Sequence, residues 1–149
     1  TFDLVIANHM LFYCDDISLA LQEIHRVLKP GASLVCSTYS KRHMREITDL
    51  VQNFNSNIVL SSTNLYERFG LDNGKQILSK FFGDVTCKKY HDAIEISEAT
   101  PIISYILSCH GNQNEILLNH YQEFKQYVEQ KVSGGFSITK DAGFFTARK

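Results

Sequence analysis

The sequence predicts a mixed α/β fold with a parallel start and an antiparallel finish. Three observations carry that expectation. The run Thr1-Phe2-Asp3-Leu4-Val5-Ile6-Ala7 is short, mostly apolar and rich in β-branched residues, the pattern of a strand buried on both faces. A helical pattern follows and stops at Pro30-Gly31, ahead of a second apolar run, Ser33 to Thr38. Near the other end, Phe136 to Thr139 and Gly143 to Ala147 read as two strands about a turn at Asp141-Ala142.

The first helix is expected from Asp15 to Leu28, where Ile17, Leu21, Ile24 and Leu28 form one stripe. Asp15 or Asp16 can cap it, since a carboxylate accepts free backbone N–H groups and favours the positive end of the dipole. Arg26 and Lys29 suit its other end. Strand, helix and strand then make a βαβ unit with parallel strands and a right-handed crossover.

Further on, Met44, Ile47, Val51 and Phe54 give a helical stripe from Arg42 to Phe54, and Asn55 to Asn64 is polar and turn-rich. Asn73 is placed to cap a short helix through Ile77, Leu78 and Phe81 to Gly83. Val85 to Tyr90 and Ala93 to Ser97 read as strands around a turn at His91-Asp92. Pro101 suits a helix start, where its missing N–H costs nothing. One long helix is expected from Asn114 to Val132, with Leu117, Tyr121, Phe124 and Val128 inward, ended by Gly134-Gly135. With no linker, repeat or low-complexity tract, residues 1–149 read as a single domain.

Composition excludes several classes. Fifteen Lys plus Arg against sixteen Asp plus Glu leave a net charge of −1, so the broad basic field that drives nucleic-acid binding is missing. No apolar run reaches the roughly 20 residues of a membrane helix, and no signal peptide is recognised. The four cysteines form no C-x-x-C pair and are too sparse for a disulfide scaffold, which points to a reduced, cytoplasmic setting. The six histidines show no ligand spacing, so no metal site is expected.

In open parallel sheets ligands bind beyond the carboxyl ends of the strands. The first such end is Asn8-His9-Met10-Leu11-Phe12-Tyr13, which mixes an amide, an imidazole, a thioether and aromatic rings. Each residue also has a plainer reading. Leu11 and Phe12 can pack beneath the helix, Asn8 can satisfy the turn, and His9 can be a hydrogen-bonded structural residue.

Phe2-Asp3-Leu4-Val5-Ile6-Ala7-Asn8-His9, followed by Leu21-Gln22-Glu23-Ile24-His25-Arg26-Val27-Leu28-Lys29-Pro30-Gly31, resembles the latter half of a class I S-adenosylmethionine-dependent methyltransferase. The branch it resembles contains the ubiquinone- and menaquinone-biosynthesis type enzymes. The resemblance is strongest from Thr1 to about Ser40, and Phe144 to Arg148 resembles the last strand. It implies the C-terminal half of a Rossmann-like sheet, with the first run here standing as the family's fourth strand. It also implies that Asn8, His9 and Met10 flank the methionine part of S-adenosylmethionine, and that Tyr13 faces the substrate. His9 is then the nearest candidate for a catalytic base. The loop reads Asn-His-Met and lacks the Asn-Pro-Pro-Tyr pattern of nucleic-acid methylation, which favours a small-molecule acceptor, or a protein, over DNA.

The family's glycine-rich loop and ribose-binding acidic residue have no counterpart, since the first glycine is Gly31. The chain is therefore expected to be a C-terminal fragment that is inactive alone and holds no cofactor by itself. One side of Leu4-Val5-Ile6 would then be an open apolar edge, which predicts a homodimer through that strand. A non-catalytic α/β dimerisation or binding module is the alternative, and half of a nicotinamide-dependent oxidoreductase is a weaker third reading.

Overall fold

Asp16 sets where the first helix starts. Its backbone is extended and its carboxylate accepts the Leu19 N–H at 2.9 Å, so of the two candidate caps it is Asp16 that works. Such a cap contributes about 1 kcal/mol. In this computed structural model, which describes all of Thr1 to Lys149, β1 (Phe2–Asn8) passes through a 3-10 turn at Leu11–Tyr13 into α1 (Ile17–Val27). The chain then enters β2 (Leu28–Tyr39) directly. The expected stripe is the packed face: Leu21 and Leu28 are fully buried, and Ile17 and Ile24 pack against the same cluster.

Then come α2 (Arg45–Phe54), the short α3 (Leu65–Arg68) and α4 (Gly74–Leu78), and β3 (Gly83–Ile96). They are followed by α5 (Ala99–Ser108), α6 (Gln113–Leu117), α7 (Tyr121–Val132) and β4 (Phe136–Arg148). The four strands form one sheet in the order β1-β2-β4-β3. β1 runs parallel to β2, and β4 runs antiparallel to β2. The parallel start and the antiparallel finish are both present.

β1 departs from expectation in its burial. Val5 and Ala7 face the core, but Phe2, Leu4 and Ile6 are 56, 50 and 61% exposed. The strand is buried on one face, because α1 and its neighbours pack against one side of the sheet and the pleat sends alternate side chains to the other. It also forms the sheet's edge.

The chain packs as two compact units. The first comprises Thr1–His43, Leu65–His91 and Asp141–Lys149, and the second Met44–Asn64 and Asp92–Lys140. The core of the first gathers Leu21, Leu34, Cys36, Phe69 and Phe145. The core of the second gathers Val51, Ile58, Ile106, Leu117, Phe124 and Val128. Val128, Phe124 and Leu117 are thus inward as expected, whereas Tyr121 is exposed.

Four other expectations change. β3 and β4 are each continuous, so neither His91-Asp92 nor Asp141-Ala142 is a turn. Polar residues there find partners within a strand: Asp92 faces Lys140 at 3.9 Å, and one carboxylate oxygen of Asp141 accepts from Ser40. The helix expected from Asn114 to Val132 is broken by a 3-10 turn at Leu118–His120, where the Asn119 amide donates to the Glu115 carbonyl at 3.1 Å. α2 begins only at Arg45, after Met44 takes a left-handed backbone with φ 55°. Asn73 spends its side chain on the loop before α4, accepting from Gly70 N–H and donating to the Glu67 carbonyl, both at 2.7 Å, so it does not cap the helix.

Candidate functional site

The carboxyl end of β1 is held by a serine on β2. Asn8 and Ser37 are register partners. The Ser37 hydroxyl donates to Asn8 Oδ1 at 3.2 Å and accepts the His9 backbone N–H at 3.2 Å. The same N–H also lies 3.1 Å from the Ser37 carbonyl. These bonds hold His9 at φ 48°, a left-handed conformation that costs a non-glycine residue on the order of 1 kcal/mol. A residue kept there by its neighbours is a marker of functional sites.

The His9 ring stacks on Tyr39 at 6.3 Å between centroids, with the planes 19° apart. Phe12 packs edge-on to His9, Tyr13 and Tyr39 at 6.3, 4.8 and 5.5 Å. Leu11 and Phe12 are buried, as their plainer reading has it, while Met10 and Tyr13 are 42 and 66% exposed. The expected site residues therefore remain on one short loop. Asn8 and His9 are bonded together through Ser37, whereas Met10 and Tyr13 stand on the outer side of the 3-10 turn.

Asn8 and His9 form one end of a hollow of about 280 Å³ on the open face of the sheet. Val35, Ser37, Phe144 and Tyr90 make up much of the rest, with the Ala142-Gly143 segment of β4. Tyr90 and Phe144 lie ring against ring at 5.9 Å, tilted by 35°. Sequence reasoning missed Ser37, Tyr90 and Phe144 as site residues. The available signal was period-two alternation: Ser37 and Phe144 are the partly exposed neighbours of buried Cys36 and Phe145.

A second polar cluster sits where β2 ends. Asp141, 2% exposed, accepts from the Ser40 hydroxyl at 2.5 Å and from Arg42 Nε at 3.0 Å. Burial opposes its charge, but the Ser40 and Arg42 hydrogen bonds and the Arg42 and Lys89 charges hold its pKa below the ordinary carboxylate value. In the core, burial pushes the Cys36 thiol up to about 12, which makes it a packing group without nucleophilic character. No group of three or more His, Cys, Asp or Glu is placed to hold a metal ion. No helix is long and apolar enough to cross a membrane.

Comparison with known proteins bears on this loop directly. Residues 1–36 match the family model of a methyltransferase domain. Over 48 residues the chain is 40% identical to a malonyl-[acyl-carrier protein] O-methyltransferase of Erwinia billingiae, a match covering 32% of this chain and 19% of that enzyme. Among solved structures, the whole chain superposes on 64% of the YcgJ protein of Bacillus subtilis, with a TM-score of 0.50 and 11% identity. BH2331 of Bacillus halodurans, a candidate methyltransferase, matches 99% of this chain and 64% of its own, with a TM-score of 0.50 and 14% identity. At such identities the likeness is one of fold. The chain spans less than two-thirds of the length of each of these proteins. The sheet is that of the C-terminal half of a Rossmann-like fold, and the family-model match, over residues 1–36, is to a methyltransferase domain.

Proposed function

We propose that the chain is the C-terminal portion of an S-adenosylmethionine-dependent enzyme that methylates a small molecule, and that this portion alone is inactive. The observation that carries the reading is the Asn8–His9 loop. It sits at the carboxyl end of a strand in a parallel pair, is held in a strained conformation, and opens onto a hollow.

The loop's donor set suits one end of the cofactor. Asn8 offers an amide and Met10 an exposed, polarisable thioether, which would lie along the methionine part. When bound, the cofactor supplies an electrophilic methyl group. The chain's residues contribute position: an acceptor atom must be held in line at about 3 Å, and alignment of that kind supplies much of such a rate. Where the acceptor is a hydroxyl or an acidic carbon, His9 would take its proton, and Tyr13 would face the acceptor. No glycine precedes Gly31 to let the backbone approach a nucleotide closely, which supports inactivity of the portion alone. A cytoplasmic setting belongs to the same reading, supported by Cys36 packed in the core as a free thiol.

The test is a calorimetric titration of S-adenosylmethionine into the intact protein and, separately, into this chain. Heat with the intact protein, weakened by Asn8→Ala, and none with the chain is expected. Absence of heat with the intact protein would leave the second reading, a non-catalytic association module, which the open apolar edge of β1 favours.

A further inference from the structure

Tyr39 is the last residue of β2, a strand flanked by β1 and β4. Its backbone is held in place: it pairs with Ala142 on β4, and its carbonyl accepts the Leu71 N–H at 3.2 Å. Its ring meets three others. His9 lies 6.3 Å away and nearly parallel, at 19°. Phe12 stands edge-on at 5.5 Å, and His43 is tilted by 35° at 5.3 Å. Offset-stacked and edge-to-face contacts of this kind are the favoured ones between rings. Phe12 is buried in the core of the first unit, which anchors the group.

Two separate locks act on His9. Ser37 takes its backbone, since both the hydroxyl and the carbonyl of that residue receive the His9 N–H. The imidazole is held differently. No hydrogen bond within the chain fixes either ring nitrogen, so ring contact alone sets its plane, with Tyr39 on its face and Phe12 at its edge. Both nitrogens thereby stay open to a proton from outside the chain. A base works only when its nitrogen comes within about 2.6–3.2 Å of the atom that gives up the proton. Misplacement by about 1 Å can cost roughly 100-fold in rate.

We infer that Tyr39 is a positioning residue: its ring fixes the plane of the His9 imidazole and so aims the base at the acceptor's proton. It acts through His9 and touches no substrate. Its catalytic consequence rests on His9 being the base in the proposed methyl transfer, whereas the orientation itself does not. A ring is what the role requires, and the phenol hydroxyl is not.

NMR relaxation of the His9 Cε1–H bond in the intact protein reads the orientation. In wild type its order parameter should stand near the roughly 0.85 of rigid groups, and in Tyr39→Leu it should fall below about 0.6. Tyr39→Phe, which keeps the ring, should restore it. Tyr39 is half-buried and leucine is also apolar, so the fold should hold; the amide shifts of buried Leu21 and Leu34 check this. Tyr39→Met, with its more adaptable side chain, stands in if leucine unfolds the protein.

Transfer of a labelled methyl group from S-adenosylmethionine to a protein-free extract of the cells that make the protein reads the consequence. Tyr39→Leu should lower kcat about 10- to 100-fold with KM for S-adenosylmethionine unchanged, and Tyr39→Phe should recover it. A mobile His9 ring in wild type, or one equally rigid in Tyr39→Leu, would overturn the inference. So would an unchanged kcat in Tyr39→Leu or a failed recovery in Tyr39→Phe, and in each case methyl transfer is left standing. Order parameters as expected with no transfer by wild type would instead sink the base reading of His9, and with it the catalytic part of the role.

Discussion

Ser37 Oγ and Asn8 Oδ1 lie 3.2 Å apart across the parallel β1–β2 pair, and that one hydroxyl also receives the N–H of His9. A side chain in the middle of the sheet therefore sets the geometry of the loop beyond its edge strand. Replacing it tests how far the site depends on the sheet.

Ser37→Ala removes both side-chain bonds and leaves the backbone contact from His9 N–H to the Ser37 carbonyl. Each lost bond costs about 0.5–1.5 kcal/mol, so unfolding in urea should show a loss in that range or up to twice it. Binding of S-adenosylmethionine by the intact protein should weaken several-fold in the same variant. Unchanged affinity would disconnect Ser37 from the cofactor loop.

His9→Gly separates strain from chemistry. Glycine adopts φ 48° without penalty, so the midpoint of thermal unfolding should hold or rise slightly, the relief of about 1 kcal/mol being offset in part by the flexibility glycine adds to the unfolded chain. Methyl transfer by the intact protein should nonetheless fall by two or more orders of magnitude, in keeping with the roughly 100- to 10,000-fold contributed by a general base. Retained activity would reduce His9 to a turn residue.

Acid should destabilise the first unit through Asp141. Its folded pKa lies below the ordinary carboxylate value, so the unfolded state binds a proton more readily. That stability is present above the unfolded pKa of about 3.9 and is lost as pH falls from there through the lower, folded value. Asp141→Asn should flatten the fall in unfolding free energy as pH drops below the unfolded carboxylate value of about 3.9. An identical slope in wild type and variant would show that the Ser40–Asp141–Arg42 cluster carries no pH-dependent stability.

Gly111 is the sensitive point of the second unit. A Cβ there would lie 1.6 Å from the Val59 carbonyl oxygen, beside the clip in which the Asn112 side chain accepts from Val59 N–H at 2.7 Å and donates to the Asn57 carbonyl at 2.9 Å. Gly111→Ala must move backbone, and a loss of about 1–3 kcal/mol or more is expected in chemical denaturation. A neutral result would mean that the 55–64 loop shifts freely.

We propose that isolated copies of the chain pair through β1. Its one charge, Asp3, is already held by Lys29 at 2.8 Å, and Phe2, Leu4 and Ile6 are exposed, so nothing on the strand repels a second copy. Sedimentation should show dimers or larger species at micromolar concentration. Ile6→Lys should shift them towards monomer, by placing a charge on the edge strand. A monomer at high concentration in the unsubstituted chain would refute the pairing.

The sequence by itself determined the local elements whose signals lie within a few residues. The Ile17-Leu21-Ile24-Leu28 stripe, the acidic cap and the parallel strands on either side were all legible, because periodicity and capping are local chemistry. Pro30-Gly31, expected to stop the helix, instead lies inside β2, and the helix ends at Val27 where Leu28 turns extended. So was the loop at Asn8–His9, since a strand's carboxyl end is defined by the strand itself. Tertiary structure decided the rest. Asp141 looks like a turn residue until Ser40, 101 positions away, donates to one of its carboxylate oxygens while β4 runs straight through. β1 looks buried on both faces until packing covers only one. Ser37, Phe144 and Tyr90 line one hollow only because β4 lies between β2 and β3, for a sheet brings together residues that no spacing along the chain relates.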